Sequence, residues 1–255
     1  MPIRSFELRE LFHLTLLRHL GTRLSGRAYA VKGGICLRFF HRSARLSEDM
    51  DLDIVSSVRV ATLSKAVDSV LEGPALAASL AASGITRLAA TRPKQTETTQ
   101  RWKVSLVLAS AETLPTKVEF SRRNDSVRFS TGVPDAELIG RYRMPPFSAQ
   151  FYDAALMAGQ KITALASPAR SALRDLYDLH HLLFTAGVKP EALTALVESA
   201  TVEAAAEKVV GFTFQEFREQ VVPYLSAELI DLYRDASAFN RQKEEVERAL
   251  AGLLR

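Results

Sequence analysis

The stretch KGGICLRFFHRSARLSEDMDLDI, from Lys32 to Ile54, constrains this chain more than any other. A short apolar run, Tyr29-Ala30-Val31, ends at Gly33-Gly34, which reads as a strand entering a tight turn. Ile35 to about His41 reads as a helix, and Met50 to Val55 as a strand. On that strand Asp49, Asp51 and Asp53 face one way, and Met50, Leu52 and Ile54 the other. Glycine lets backbone approach a ligand closely, and the N–H groups that open the next helix face outward, where the helix dipole favours phosphate. Carboxylates two residues apart on a strand can share divalent cations that prefer oxygen ligands. Alternating acids are most often the solvated face of a strand. Three aspartates within five residues, however, repel one another and have poor strand propensity, which favours a cation site. The pairs Asp49/Asp51 and Asp51/Asp53 have the same spacing, and geometry alone leaves both open.

The rest of the chain divides by character. Ser5 to about Leu20 reads as an amphipathic helix on Leu8, Leu11, Phe12 and Leu16, with Ser5 as its N-cap. Leu63 to Ser83 is rich in Ala, Leu and Val and reads as one helix. Three strand-like runs follow, Ile85–Ala90, Trp102–Ala109 and Thr116–Ser121, and polar Thr91 to Gln100 reads as an exposed hairpin tip. Pro145-Pro146 marks a boundary beyond which helical patterns dominate, with Ser167-Pro168 as a helix start. The expectation is α+β: residues 1–145 a domain with a mixed sheet flanked by helices, and residues 146–255 a helical domain.

Two further groups could carry chemistry. In TKVEFSRR, Val118 and Phe120 would face a core, leaving Lys117 and Glu119 on the other side, where a neighbouring strand could set Glu119 beside the aspartates. In QKITALASPARSALRDLYDLHHLL, Leu173, Leu176, Leu179 and Leu183 make an apolar stripe. Arg170 and Arg174 share a face, and Arg174 and Asp178 are four apart, as in a salt-bridged surface helix. In the other reading, Lys161 and the arginines meet phosphate oxygens while Asp175 and Asp178 orient them. His180-His181 lacks the spacing of a zinc-binding helix.

Composition excludes other classes. The single cysteine, Cys36, allows neither an internal disulfide nor a cysteine-based zinc site, which fits a reducing cytoplasm. No run of about 18 apolar residues suggests a membrane span, and the N-terminus lacks the pattern of a signal peptide. A cytoplasmic protein without a membrane partner is expected. The net charge of +4 is compatible with a polyanion such as RNA.

The three groups, in this order, resemble the AbiEii/AbiGii-type nucleotidyltransferase toxins, a branch of the polymerase-β-like superfamily related to mycobacterial MenT-type toxins. The first motif of that family is Gly-Gly, a short helix and Arg-x-Ser-x-Asp-x-Asp, matched by Gly33-Gly34, Arg45, Ser47, Asp49 and Asp51. The second is a strand with one acid, matched by Glu119. The third is a lysine, an arginine and Arg-Asp-x-x-Asp-Leu, matched by Lys161, Arg170 and Arg174-Asp175-Leu176-Tyr177-Asp178-Leu179. Many members carry Thr or Ser after the glycines where this chain has Ile35.

The resemblance implies a polymerase-β-like nucleotidyltransferase domain and chooses Asp49 and Asp51, with Glu119, as ligands for Mg2+ or Mn2+. It implies an NTP held by Lys32, Gly33, Gly34, Arg45, Ser47, Lys161, Arg170 and Arg174, with Lys161, Asp175 and Asp178 in the catalytic set. It implies the toxin of a toxin–antitoxin or phage-defence system, a separately encoded antitoxin, and nucleotide transfer to RNA, at the 3′ end of tRNA. The alternatives are a nucleotide-binding module without catalysis, or transfer to a protein or small molecule.

Overall fold

The computed structural model describes residues 2–122, 129–169 and 172–254, which fall into two compact units. The first runs to Phe40 and resumes over Leu46–Tyr152; the second takes His41–Arg45 and the chain from Asp153 onward.

The first unit is a mixed sheet flanked by helices. Helix α1 (Pro2–Leu20) leads to β1 (Tyr29–Lys32), α2 (Gly33–Phe40) and β2 (Asp49–Ile54). Then come α3 (Val60–Leu71), α4 (Pro74–Ala81), β3 (Ile85–Gln95), β4 (Thr99–Leu108), β5 (Thr113–Ser121), β6 (Phe129–Gly132), α5 (Ala136–Arg141) and β7 (Ala149–Tyr152). The strand order is β3-β4-β5-β2-β1-β7-β6, with β2/β5 and β1/β7 parallel and the other pairs antiparallel. Period-two alternation gives the central strands two unlike faces. Met50, Leu52, Val118, Phe120, Trp102, Val104 and Leu106 are buried on one face. The helices bond to that side: Trp102 Nε1 donates to Asp68 of α3 at 2.9 Å, and His13 of α1 meets Thr116 of β5. The rings of Trp102 and Phe120 meet edge-on, their centroids 5.8 Å apart. Each large side chain so buried contributes about 1.5–3 kcal/mol.

The other face carries the polar residues of the same strands, the candidate residues Asp49, Asp51 and Glu119 among them. Because β2 and β5 are parallel neighbours, one strand's acids lie directly beside the other's.

Several local expectations change. Ser5 lies inside α1 rather than capping it, since the helix already begins at Pro2. The stretch from Leu63 to Ser83 is two helices, because Gly73 and Pro74 interrupt the first and start the second. The hairpin tip shrinks to three residues, 96–98: β3 and β4 pair as far as Gln95 and Gln100, and the polar composition belongs to exposed strand. Strand β7 lies beyond Pro145-Pro146 and is part of the sheet.

The second unit is helical: α6 (Ala154–Ala166), α7 (Leu173–His180), α8 (Ser199–Val210), α9 (Phe214–Gln220), α10 (Ala227–Ile230) and α11 (Ser237–Leu253). Ser167-Pro168 ends α6 instead of starting a helix; Ser167 has ψ 121°, the extended conformation imposed by the proline ring that follows. Leu173, Leu176 and Leu179 are buried as the stripe predicts. A π-helical turn at His181–Thr185 then advances the register, so Leu182 is buried and Leu183 only half so. Phe217 centres an aromatic cluster with Tyr233 and Phe239, at centroid distances of 4.8 and 5.0 Å.

Candidate active site

The parallel register of β2 and β5 sets Asp49 opposite Lys117 and Asp51 opposite Glu119. Paired residues share a face, so the three carboxylates and the lysine project together. Lys117 Nζ lies 3.3 Å from Asp49 Oδ2 and 3.7 Å from Asp51 Oδ1. Glu119 accepts a hydrogen bond from Arg101 Nε, its register partner on β4. Burial raises the Asp51 carboxyl above its ordinary range; Lys117 works against this, and Asp49 and Glu119 add to it. The Lys117 ammonium is desolvated too, but the carboxylates around it outweigh that and raise its pKa.

Gly33 completes this face. Its φ is +68°, a left-handed conformation that glycine adopts without strain, and a Cβ there would lie 3.1 Å from Asp51 Oδ2. The turn therefore disfavours a side chain for two independent reasons. Gly34 follows in the first turn of α2. Ile35 is buried on the core side of that helix, 1% exposed, so packing accounts for an apolar residue there.

Asp53 behaves differently from its neighbours. It is 2% exposed, pairs with Lys32, and accepts a hydrogen bond from the Tyr152 hydroxyl. Lys32 also donates to Ser121 Oγ at 3.2 Å. Asp53 and Lys32 thus form an internal ion pair, while Asp49 and Asp51 stay partly open. Ser47 Oγ donates to the Asp49 carbonyl at 3.2 Å. From the opposite face, Thr116 Oγ1 donates to the Glu48 carbonyl at 2.6 Å. Its one hydroxyl proton is then committed, so His13 Nε2 carries the proton in the 2.7 Å bond to Thr116 Oγ1. His13 is fully buried, its Nδ1 has no partner among the described residues, and burial with the nearby Arg9 pushes its pKa down to about 3.

In the second unit, Arg45 donates to both oxygens of Asp178, Nε at 2.8 Å and Nη2 at 2.7 Å. Lys161 Nζ lies 2.7 Å from Asp178 and 2.7 Å from Asp175. Both aspartates are buried. Burial alone would raise the Asp178 carboxyl, but Arg45 and then Lys161 hold it far below the usual carboxylate range. Arg174 does not pair with Asp178; it is exposed, with its guanidinium 4.8 Å from the Tyr224 ring centre. The aspartates belong to an interior ion network, not to a solvated surface helix. Arg170 lies outside the described residues.

Among the described residues, no three His, Cys, Asp or Glu side chains form a group that could hold a metal ion. Asp49, Asp51 and Glu119 share one face but are met by Lys117 and Arg101. His180 pairs with Glu245, and His181 Nε2 bonds the His41 carbonyl. Cys36 is fully buried. No described helix is long and apolar enough to cross a membrane.

A mixed sheet with a glycine turn against aligned carboxylates, followed by a helical region, is the polymerase-β-like nucleotidyltransferase architecture. The family profile described as nucleotidyl transferase AbiEii toxin, type IV toxin–antitoxin system, matches residues 15–252. The chain belongs to this AbiEii nucleotidyltransferase toxin family. Among solved structures it is similar to MenT4, a nucleotidyltransferase toxin from Mycobacterium tuberculosis H37Rv. The TM-score is 0.63 at 15% identity, over 99% of this chain and 95% of that one. It is also similar to JHP933 from Helicobacter pylori, with a TM-score of 0.52 at 17% identity over 96% of this chain and 91% of that one. At these identities the likeness concerns the fold alone. A search of curated proteins gave no match.

Neither Lys117 nor the His13–Thr116–Glu48 chain stands out as functional in the sequence. Lys117 carried one usable signal, its position two residues before Glu119 on the same face.

Proposed function

We propose that the protein transfers a nucleotide from an NTP to the 3′ end of tRNA, with release of pyrophosphate, as the toxin of a toxin–antitoxin pair whose antitoxin is encoded separately. The observation that carries this reading is the β2–β5 register, which aligns Asp51 with Glu119 beside a glycine turn where a side chain would be strained and crowded against Asp51. Family membership supports NTP chemistry. As placed, the three carboxylates are met by Lys117 and Arg101 and form no metal-holding group; the case for Mg2+ or Mn2+ is their hard oxygen ligands and the ammonium already held by two of them, which an ion would replace. Asp49, Asp51 and Glu119 would hold the ion, which when bound neutralises triphosphate charge and acidifies an attacking hydroxyl.

The chain's own residues do the rest. The Gly33-Gly34 backbone at the start of α2 offers N–H groups to phosphate oxygens. Glu119 takes the proton of the acceptor hydroxyl, whose oxygen attacks the α-phosphorus while the pyrophosphate oxygen leaves. Lys161 uses two of its three N–H donors on Asp175 and Asp178. Lys32, Arg45 and Ser47 hold Asp53, Asp178 and the Asp49 backbone.

The test incubates the purified protein with total bacterial tRNA, magnesium and each α-labelled NTP in turn, beside Asp49→Ala. Label in tRNA with wild type only is the expected result. Metal-dependent NTP binding with no label in any acceptor would replace this reading with a binding module.

A further inference from the structure

The acidic face holds a cation that the proposed chemistry does not use. Lys117 reaches two carboxylates at once from the adjacent strand, and the backbone register fixes it there. Two carboxylates and one ammonium leave a net negative charge at the mouth of the site. Asp49 and Asp51 are 43% and 33% exposed and Lys117 28%, so all three side chains keep a route to solvent. By contrast Lys32, the neighbouring lysine, is locked on buried Asp53 with the Tyr152 hydroxyl closing the other carboxylate oxygen. The site therefore contains one lysine built in permanently and one held only by partly exposed ion pairs.

We propose that Lys117 is an intrinsic counter-cation of Asp49 and Asp51, which a divalent ion must displace, so that this lysine sets the metal concentration at which the site loads. The inference rests on the assignment of those aspartates as metal ligands. With no metal bound, Lys117 relieves the repulsion between adjacent carboxylates. Metal affinity is then a difference between two cations competing for the same oxygens. The displaced ammonium stays on its strand, within a side chain's length of the same face, and returns when the metal leaves.

Mn2+ binding to the full chain, followed by the electron paramagnetic resonance signal of free Mn2+, tests this without any turnover. Lys117→Met is expected to bind Mn2+ about two- to thirtyfold more tightly than wild type, since each of the two partly exposed pairs is worth about 1.4- to fivefold. Lys117→Arg, which keeps the charge, should bind like wild type. So should Lys103→Met, which removes the exposed lysine opposite Lys117 on β4. Unchanged or weaker binding in Lys117→Met overturns the proposal. If Asp49→Ala binds Mn2+ as wild type does, the metal assignment itself fails, and that outcome is separate from the first. Should Lys117→Met not fold, wild type alone decides. Lysine acetylation by acetic anhydride, read by mass spectrometry, should rise at Lys117 when Mg2+ is added. Acetylation that stays level or falls overturns displacement.

Discussion

The two units each gather aspartates and basic side chains, and they treat them in opposite ways. On the sheet face, Asp49 is 43% exposed and its contact with Lys117 is 3.3 Å long. In the helical unit, Asp178 is fully buried and takes three hydrogen bonds from Arg45 and Lys161, all at 2.7–2.8 Å. A half-exposed pair is screened by water and exchanges partners readily, whereas a desolvated one is nearly worthless unless complete and damaging when broken. The same residue types thus make an open site in one place and a clamp in the other. Solvent access, not composition, draws the distinction.

The most forceful way to break that comparison is Asp178→Ala. It leaves the Arg45 guanidinium buried without its bidentate partner and should destabilise the protein by about 3–5 kcal/mol, read from denaturant unfolding. A loss under 1 kcal/mol would mean that this network is no clamp. Next comes Asp49→Ala, which should lower transfer by roughly a hundred- to a thousandfold, about 3–4 kcal/mol of transition-state stabilisation, with the unfolding midpoint unchanged or raised. A matching fall in stability would turn the open site into a structural one.

His13 gives a smaller and more particular effect. Its imidazole is held near pKa 3 in the fold against 6.5 when free, so between those values the unfolded chain binds one more proton. The stabilisation is complete above pH 6.5 and drains away on acidification, at about 1.4 kcal/mol per pH unit. His13→Gln, which retains an amide donor for Thr116, should flatten the pH dependence of the unfolding midpoint across that window. A slope equal to wild type would show that His13 is not its source. The weakest effect belongs to Arg92→Ala, which removes an exposed partner of Asp68 and should shift stability by no more than roughly 0.5 kcal/mol. A larger loss would mean that surface pairs count for more here than their exposure allows.

How far the sequence was readable follows from the range of each interaction. The Gly33-Gly34 turn and the alternation of Asp49, Asp51 and Asp53 are local, and the strand, turn and helix built on them are where periodicity puts them. The sheet followed by a helical region was legible for the same reason. The different fate of Asp53 was not, because Tyr152, which completes its shell, lies 99 residues away. The bidentate pair of Arg45 and Asp178 spans 133 residues, and no local pattern around the loop residue or on α7 foretells it. Local punctuation misled where one dipeptide has two uses. Ser-Pro can open a helix or close one, and at Ser167 the preceding helix had already claimed the residue.

The short segment His41–Arg45 lies between α2 and β2 along the chain yet clusters with the helical unit. The covalent thread therefore passes between the two units at three points, after Phe40, after Arg45 and after Tyr152. A discontinuous architecture of this kind is not modular. Cutting the chain after Tyr152 would strand a guanidinium evolved for an interior carboxylate, and grafting a foreign helical tail onto residues 1–152 would do the same. A helical tail that is to keep this clamp has to bring a matching His41–Arg45 segment with it, so the helical unit comes as two pieces of chain.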